Sequence, residues 1–332
     1  MKDPCRICGE AEHVLVSRKD RNGGMLDTVV CMGCGIITND PIPSYEEIAA
    51  FYRTDYRAQY KGTRKPRRRQ VWRNFKRLEN HFGNDWEMYA GRRNCLDIGS
   101  GSGEFMYLSK ALGMECVGVE PDEEYSVYSR ETLGLRVLSQ TLEETEFPAA
   151  SFDVIRLSHV IEHMRDPVSS LKVMGEWLSD NGVIYIEVPD IEREAEQKLR
   201  GRLFHFGHIF NFNPFTLRLA AGLAGLEDDP ATKSRFANKT AGFFCKSTAP
   251  FRLREDACDN AQRMKVAMDT HYARIMPRPR EGTVPGRFFR TIADRIREFI
   301  ASVRFPDHLA IAKHFGKRVS SVRAKQPDER LT

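Results

Sequence analysis

The chain has 332 residues, 41% hydrophobic and 29% charged, with a formal net charge of +5. That length suits two or three domains with cores of their own, and that apolar share excludes global disorder. No apolar run approaches the roughly 18 residues of a membrane span, and the start, Met1-Lys2-Asp3-Pro4-Cys5, has no apolar signal core. The expectation is a soluble, cytoplasmic protein.

Residues 1–40 carry two Cys-x-x-Cys pairs, Cys5/Cys8 and Cys31/Cys34, with 22 residues between them. Each pair is a knuckle that aims two thiolates at one centre, and the residues between suit a short hairpin. Four thiolates in a tetrahedron suit Zn²⁺, which makes this segment a zinc ribbon. Ligand identity alone leaves iron open in the same cage. Four cysteines leave no coordination position for catalysis, so the metal is expected to be structural.

Residues 41–91 read as a helical, basic linker. Ser44 is a predicted N-cap with Glu47 as its capping-box partner, and Ile48, Phe51 and Tyr52 follow at helical spacing. From Arg53 to Arg77 there are eleven Lys/Arg and one acid, Asp55. Within the segment, Val71, Phe75, Leu78 and Phe82 share one helix face. The part from 61 to 77 is a candidate for contacting a phosphorylated substrate or RNA, or is a solvated helix face. It is poor in aromatics, so base stacking is not evident.

Residues 92–248 alternate strand and helix. Predicted strands are Cys95–Ile98, Cys116–Glu120, Phe152–Leu157, Gly182–Val188 and Gly242–Cys245. Helices are predicted through Phe105, Leu108 and Leu112, around Tyr125 and Tyr128, from Val168 to Leu178, and from Phe215 to Leu223. This order predicts an α/β, doubly wound, mostly parallel sheet. The tail, 249–332, holds eighteen basic and ten acidic residues and two amphipathic stretches. One runs through Ala257, Ala261, Met264, Met268, Tyr272 and Ile275. The other runs through Phe288, Phe289, Ile292, Ile296, Phe299, Ile300 and Val303. Both are expected to pack on the main domain or on a second subunit, and the second, which is basic, is alternatively a contact for an anionic surface.

Asp97-Ile98-Gly99-Ser100-Gly101-Ser102-Gly103 lies between a strand and a helix, where small residues let a ligand approach the backbone. Glu120 ends the next strand, 17 residues after Gly103, where a carboxylate can accept both ribose hydroxyls of a nucleoside. Asp97 just before the loop would repel a pyrophosphate. It suits a ligand with an ammonium or sulfonium charge, which favours S-adenosylmethionine over a dinucleotide.

These residues resemble a known family. Leu96 to Gly103, Val119-Glu120-Pro121 and Ser151 to Ile155 are similar to the signature of class I S-adenosylmethionine-dependent methyltransferases. So is Ser158-His159-Val160-Ile161-Glu162-His163-Met164-Arg165-Asp166-Pro167, close to the family's h-V-L-E-H-x-x-D-P stretch. Cys31-x-x-Cys34-Gly35, Asp40-Pro41, Phe51-Tyr52 and Tyr56 resemble the zinc-ribbon leader of a subset that includes deoxysugar C-methyltransferases and relatives from surface-polysaccharide and natural-product pathways. The resemblance implies a seven-stranded Rossmann-like sheet. It also implies that Asp97, Gly99, Ser100, Gly101 and Gly103 face the methionine part of the cofactor, and that Glu120 holds the ribose. Thr141 and Leu142 then meet adenine, and Ser158 and His159 border the sulfonium and the substrate.

Methyl transfer is an in-line displacement that the protein aids by aligning the acceptor and removing its proton. Histidine is the usual base near neutral pH. His159 follows a strand and His163 lies one turn on, where Glu162 and His163 alternatively cap or orient the segment. His208 matches the histidine of a Glu-His motif in the sugar C-methyltransferases, but Gly207 stands where the glutamate would be, and about 80 residues replace a long C-terminal domain. An O-methyltransferase on a sugar or similar hydroxylated acceptor fits as well as a C-methyltransferase. The slot Ser158-His159-Val160 lacks the Asn/Asp-Pro-Pro-aromatic motif of base-amino methyltransferases, which disfavours nucleic acid. A nucleic-acid-binding zinc protein is the alternative reading.

Overall fold

The computed structural model describes residues 3–56, 66–251, 256–273, 295–296 and 298–323. Arg57, Tyr60, Lys61, Arg64 and Lys65 of the basic stretch lie outside these, as do Ile275, Phe288, Phe289 and Ile292 of the tail. The elements are β1 (His13–Lys19), β2 (Met25–Cys31), β3 (Ile37–Asn39), α1 (Tyr45–Tyr56), α2 (Arg68–Asn84), β4 (Asn94–Ile98), α3 (Glu104–Ala111), β5 (Glu115–Val119), α4 (Glu123–Leu133), β6 (Arg136–Leu138) and β7 (Phe152–Ser158). They continue with α5 (Pro167–Trp177), β8 (Leu178–Glu187), α6 (Ile191–Gln197), β9 (Phe210–Asn211), α7 (Pro214–Leu223), β10 (Leu226–Asp228), α8 (Lys233–Phe236), β11 (Ala241–Lys246), α9 (Ala257–Ala273) and α10 (His308–Arg323). None of the described helices is long and apolar enough to cross a membrane.

The larger sheet has seven strands in the order β10-β11-β8-β7-β4-β5-β6. Strands β4, β5 and β6 are parallel neighbours, and β11 pairs antiparallel with both β8 and β10. This is the expected α/β sheet, mostly parallel with an antiparallel edge. The smaller sheet has the order β1-β2-β3-β9 and is antiparallel throughout.

By backbone proximity the chain forms two compact units. One comprises Met1–Tyr56, Leu157–Glu176 and Val183–Arg280; the other comprises Arg57–Arg156, Trp177–Gly182 and Glu281–Thr332. In the first, α1 opens on the expected capping box. Glu47 N–H donates to Ser44 Oγ at 3.2 Å, and Ser44 N–H donates to Glu47 Oε2 at 2.7 Å. The core here gathers Val30 and Ile37 of the small sheet, Ile191 and Ala195 of α6, Leu203, Phe204, and Met264 and Met268 of α9. A side chain of that size gains about 1.5–3 kcal/mol on full burial. The first amphipathic stretch of the tail therefore packs on its own chain.

In the second unit, α2 buries the four predicted positions, Val71, Phe75, Leu78 and Phe82. Phe82 stacks on Phe105 of α3 with ring centroids 5.3 Å apart, and Phe75 stacks on Phe315 of α10 at 5.7 Å. The sequence pattern had not marked α10. It is held by Arg318, which pairs with Glu79, and by Ser320 Oγ, which donates to the Ala111 carbonyl at 2.8 Å. In the second amphipathic stretch Ile296, Phe299, Ile300 and Val303 are exposed on the single chain rather than packed on the main domain. Two further differences are local. The short strands β6 and β10 were not predicted. Leu178, expected to close α5, opens β8, since a single buried leucine serves either period.

Candidate functional site

The two cysteine knuckles converge. Cys5 and Cys34 place their sulfurs 3.9 Å apart, and Cys8 and Cys31 place theirs 3.5 Å apart. A tetrahedron with metal–sulfur bonds of about 2.3 Å sets sulfurs about 3.8 Å apart, so the cage is already of metal-binding size. Backbone turns close each knuckle: Gly9 N–H donates to the Cys5 carbonyl and Gly35 N–H to the Cys31 carbonyl, both at 2.9 Å. Gly35 is at φ +81°, and a Cβ there would meet the Asn260 side chain at 2.6 Å. Asn260, on α9, donates to the Cys34 carbonyl at 2.7 Å. Hydrogen bonding to Cys31, foremost among the contacts, draws the Cys5 thiol down and pushes the Cys34 thiol up. Thiols this close are all deprotonated only around a cation.

In the second unit the glycine loop follows β4. Gly99, Gly101 and Gly103 all have positive φ, at 65°, 55° and 78°, a conformation that other residues adopt only under strain. A Cβ on Gly103 would strike Leu135 Cδ1 at 2.6 Å, whereas the space around a Cβ on Gly101 is open. Gly101 N–H donates to Glu120 Oε2 at 2.7 Å, and Asp122 N–H donates to Glu120 Oε1 at 2.9 Å. The loop and the expected ribose carboxylate are therefore joined at the carboxyl ends of β4 and β5. Thr141 and Leu142 follow β6, where Thr141 bonds to Glu144 Oε2 through its N–H at 2.9 Å and its hydroxyl at 3.2 Å.

Asp97 has no exposed surface. It pairs with Arg156 of β7, Nη1 to Oδ1 at 2.8 Å, and its Oδ2 has no hydrogen bond among the described residues. Burial raises the Asp97 carboxyl and Arg156 opposes that rise. Arg156 also lies over the Phe105 ring at 4.5 Å. Arg156 carries a signal in the sequence that the family motifs do not include: an arginine inside an apolar strand run needs a buried counter-charge. Glu104, opening α3, lies outside those motifs too. It is buried, which raises its carboxyl, and it accepts from Ser102 Oγ at 2.8 Å and from Asn74 Nδ2 of α2 at 3.1 Å.

In the first unit the histidines gather with Glu162. Ser158 Oγ donates to Glu187 Oε2 at 3.1 Å. His159 sits at φ +58°, its side chain 45% exposed and its Nδ1 3.6 Å from Glu162 Oε1. A non-glycine residue in that region is strained by about 1–3 kcal/mol and persists only where its surroundings hold it. Glu162 is 1% exposed, and neither carboxylate oxygen has a hydrogen bond among the described residues. His163 Nε2 is 3.8 Å from Glu162 Oε1, and His163 Nδ1 meets the Gly207 carbonyl at 2.5 Å. The His208 ring lies 4.8 Å from His163 and 3.9 Å from His205, centroid to centroid. Burial lowers both imidazoles, His208 well below its ordinary range and His205 to about 3. A Cβ on Gly207 would come 2.9 Å from Phe51 Cε1, so the position that holds glutamate in the C-methyltransferase motif has no room for it here.

Residues 63–230 match the family described as methyltransferase domain. The chain is 38% identical to an uncharacterized methyltransferase of Mycobacterium sp. (strain KMS) over 82 residues, 24% of this chain and 32% of that protein. It is 30% identical to a ubiquinone biosynthesis O-methyltransferase of Azorhizobium caulinodans over 116 residues, 33% of this chain and 46% of that protein. The matches thus span under half the length of those relatives. A crystal structure of 1,6-didemethyltoxoflavin-N1-methyltransferase from Burkholderia thailandensis is similar at a TM-score of 0.45 and 18% identity, over 66% of this chain and 96% of that one. With just over half of its residues matched by the family's pattern, the chain belongs to the methyltransferase-domain family.

Proposed function

We propose that the chain transfers a methyl group from S-adenosylmethionine to an oxygen of a hydroxylated small molecule, of which a sugar or nucleotide-sugar is the favoured class. The reading rests above all on the 2.7 Å bond from Gly101 N–H to Glu120 Oε2. It joins a loop that only glycines can form to a carboxylate at the adjacent strand end. Both Glu120 oxygens accept backbone amides, from Gly101 and Asp122, and a carboxylate held this way is placed to accept ribose hydroxyls as well. Gly99, Ser100, Gly101 and Gly103 would line the methionine part, with open space at Gly101 and an unpartnered, buried Ser100 Oγ. Asp97, expected to face the methionine part, is instead fully buried against Arg156 and would brace the loop from behind. Thr141 and Leu142 would meet adenine, and Ser158 and His159 would border the acceptor. When bound, the cofactor supplies an electrophilic methyl on a sulfonium. The chain's part is to align the acceptor oxygen and take its proton, with His208 and His159 as the candidate groups.

Oxygen is favoured over carbon because Gly207 leaves His208 without the neighbouring glutamate of the C-methyltransferase motif. Cys5, Cys8, Cys31 and Cys34 would hold a structural zinc. The basic helix α2 does not enter this reading. Arg69 and Arg73 pair with Glu298, Lys76 pairs with Glu79, and Arg68 donates to the Phe305 carbonyl.

Calorimetric titration of the zinc-loaded chain with S-adenosylhomocysteine tests the cofactor site. Micromolar binding is expected, weakened at least tenfold, about 1.4 kcal/mol, in Glu120→Ala. No binding to the folded, zinc-loaded chain would sink the reading. Trials of methyl transfer to free sugar nucleotides, beside carbon acid acceptors, then distinguish O- from C-methylation.

A further inference from the structure

A carboxylate that is 1% exposed and has no hydrogen bond on either oxygen is costly unless a cation answers it. Glu162 is such a group, and the groups facing it are imidazoles. Its Oε1 is 3.6 Å from His159 Nδ1 and 3.8 Å from His163 Nε2. One ligand atom each from Glu162, His163 and His208 lies within 4.8 Å of the other two. The Gly207 carbonyl can only accept, so the 2.5 Å contact places the proton of His163 on Nδ1. Nε2, the other ring nitrogen, lies on the Glu162 side, 3.8 Å from Oε1. A backbone carbonyl fixing the far nitrogen of an imidazole is the usual support of a metal-ligating histidine.

The geometry points to a divalent transition-metal site formed by Glu162, His163 and His208. Two ligands about 2.1 Å from one ion lie at most about 4.2 Å apart. The 3.8 Å pair already satisfies this, and the largest separation in the group, within 4.8 Å, exceeds it by at most about 0.6 Å. Two imidazoles and one carboxylate suit Mn²⁺, Fe²⁺, Co²⁺ or Zn²⁺ better than Mg²⁺ or Ca²⁺. Three protein ligands leave positions open, and oxygens of a hydroxylated acceptor would take them. This last step rests on the proposed methyl-transfer reading. A cation there would orient the acceptor and make its hydroxyl easier to deprotonate. His208 then becomes a ligand rather than the base, and His159, strained into place beside Glu162, is the group left near the acceptor.

Mn²⁺ is the probe, because it prefers oxygen and nitrogen to thiolate and leaves a zinc-filled cysteine cage alone. The zinc-loaded full chain would be titrated with MnCl₂, with free Mn²⁺ followed by electron paramagnetic resonance. One bound equivalent is expected, with affinity falling at least tenfold in both Glu162→Gln and His208→Ala. Glu120→Ala should bind Mn²⁺ like the parent. Circular dichroism on each variant separates loss of ligand from loss of fold. Binding weaker than about 1 mM, or an affinity in either variant equal to the parent's, overturns the site. S-adenosylhomocysteine is titrated into the same samples. If it binds and Mn²⁺ does not, the metal inference fails and the methyltransferase reading stands. If Mn²⁺ binds and S-adenosylhomocysteine does not, the metal inference stands without that reading.

Discussion

The cysteine cage and the histidine–glutamate cluster are both tight groups of metal-ligating side chains, and they are built in opposite ways. The cage takes its ligands from two Cys-x-x-Cys turns, each closed by its own backbone hydrogen bonds. All four donors are cysteine sulfurs, 3.9 Å apart in one pair and 3.5 Å in the other, and four of them around one ion would leave nothing for a substrate. The cluster takes Glu162 and His163 from the turn after β7, and His205 and His208 from a segment some 40 residues later. Its donors are mixed, its carboxylate lacks hydrogen bonds, and one of its histidines is strained. A site of the first kind should stabilise the chain. One of the second kind should cost stability and be kept for what it does.

The largest effect should come from breaking the cage. Cys34→Ser should release zinc and lower the thermal midpoint by at least about 10 °C. Structural zinc contributes about 10–16 kcal/mol to folding in small modules. Zinc content and a thermal unfolding scan check this, and a zinc-free variant with an unchanged midpoint would refute a structural role.

Arg156→Met comes next. It leaves Asp97 buried without its counter-charge and should cost about 3–5 kcal/mol in urea unfolding. Adding Asp97→Asn should recover most of that loss. If the double variant is no better than the single one, the pair is not the unit of stability that its 2.8 Å geometry implies.

Asn260→Ala should cost about 2 kcal/mol. Asn260 donates to the Cys34 carbonyl and accepts from Asn213 Nδ2 at 2.9 Å and Arg263 Nη2 at 2.7 Å. The variant should also lose zinc faster to a chelator, because α9 would no longer brace the second knuckle. Unchanged chelation kinetics would show that the cage stands by itself.

The difference in construction also decides what could be read in advance. Spacing signals were legible: the paired cysteines, the Ser44/Glu47 capping box, and the four buried positions of α2. The glycine loop with Glu120 was legible because a strand, a turn and a helix are consecutive in sequence. The histidine cluster was legible only in pieces, since the 2.5 Å contact between His163 and the Gly207 carbonyl joins residues 44 apart. Strand β9 is two residues long and exists because β3 offers an edge, with Ile37 paired to Asn211 and Thr38 to Phe210. No local pattern predicts such a strand. Helix α10 hides its core positions, Ile311, Ala312, Phe315 and Val319, among lysines, arginines and histidines, so its apolar stripe is narrow.

The smallest effect carries the opposite sign, and it tests the comparison most directly. Glu162→Gln replaces a buried, unbonded carboxylate with a neutral amide of the same shape. In chelator-treated protein the variant should be more stable than the parent, by about 1 kcal/mol, because a buried carboxylate without hydrogen bonds costs more than a buried amide in its place. With Mn²⁺ present the order should reverse, since only the parent gains the binding free energy of the ion. Parallel urea melts with and without Mn²⁺ measure both halves. A variant less stable than the parent under both conditions would mean that Glu162 is a structural group whose burial is compensated by its imidazole neighbours. A crossing of the two orders would mean that the chain holds Glu162 at a loss until a cation arrives.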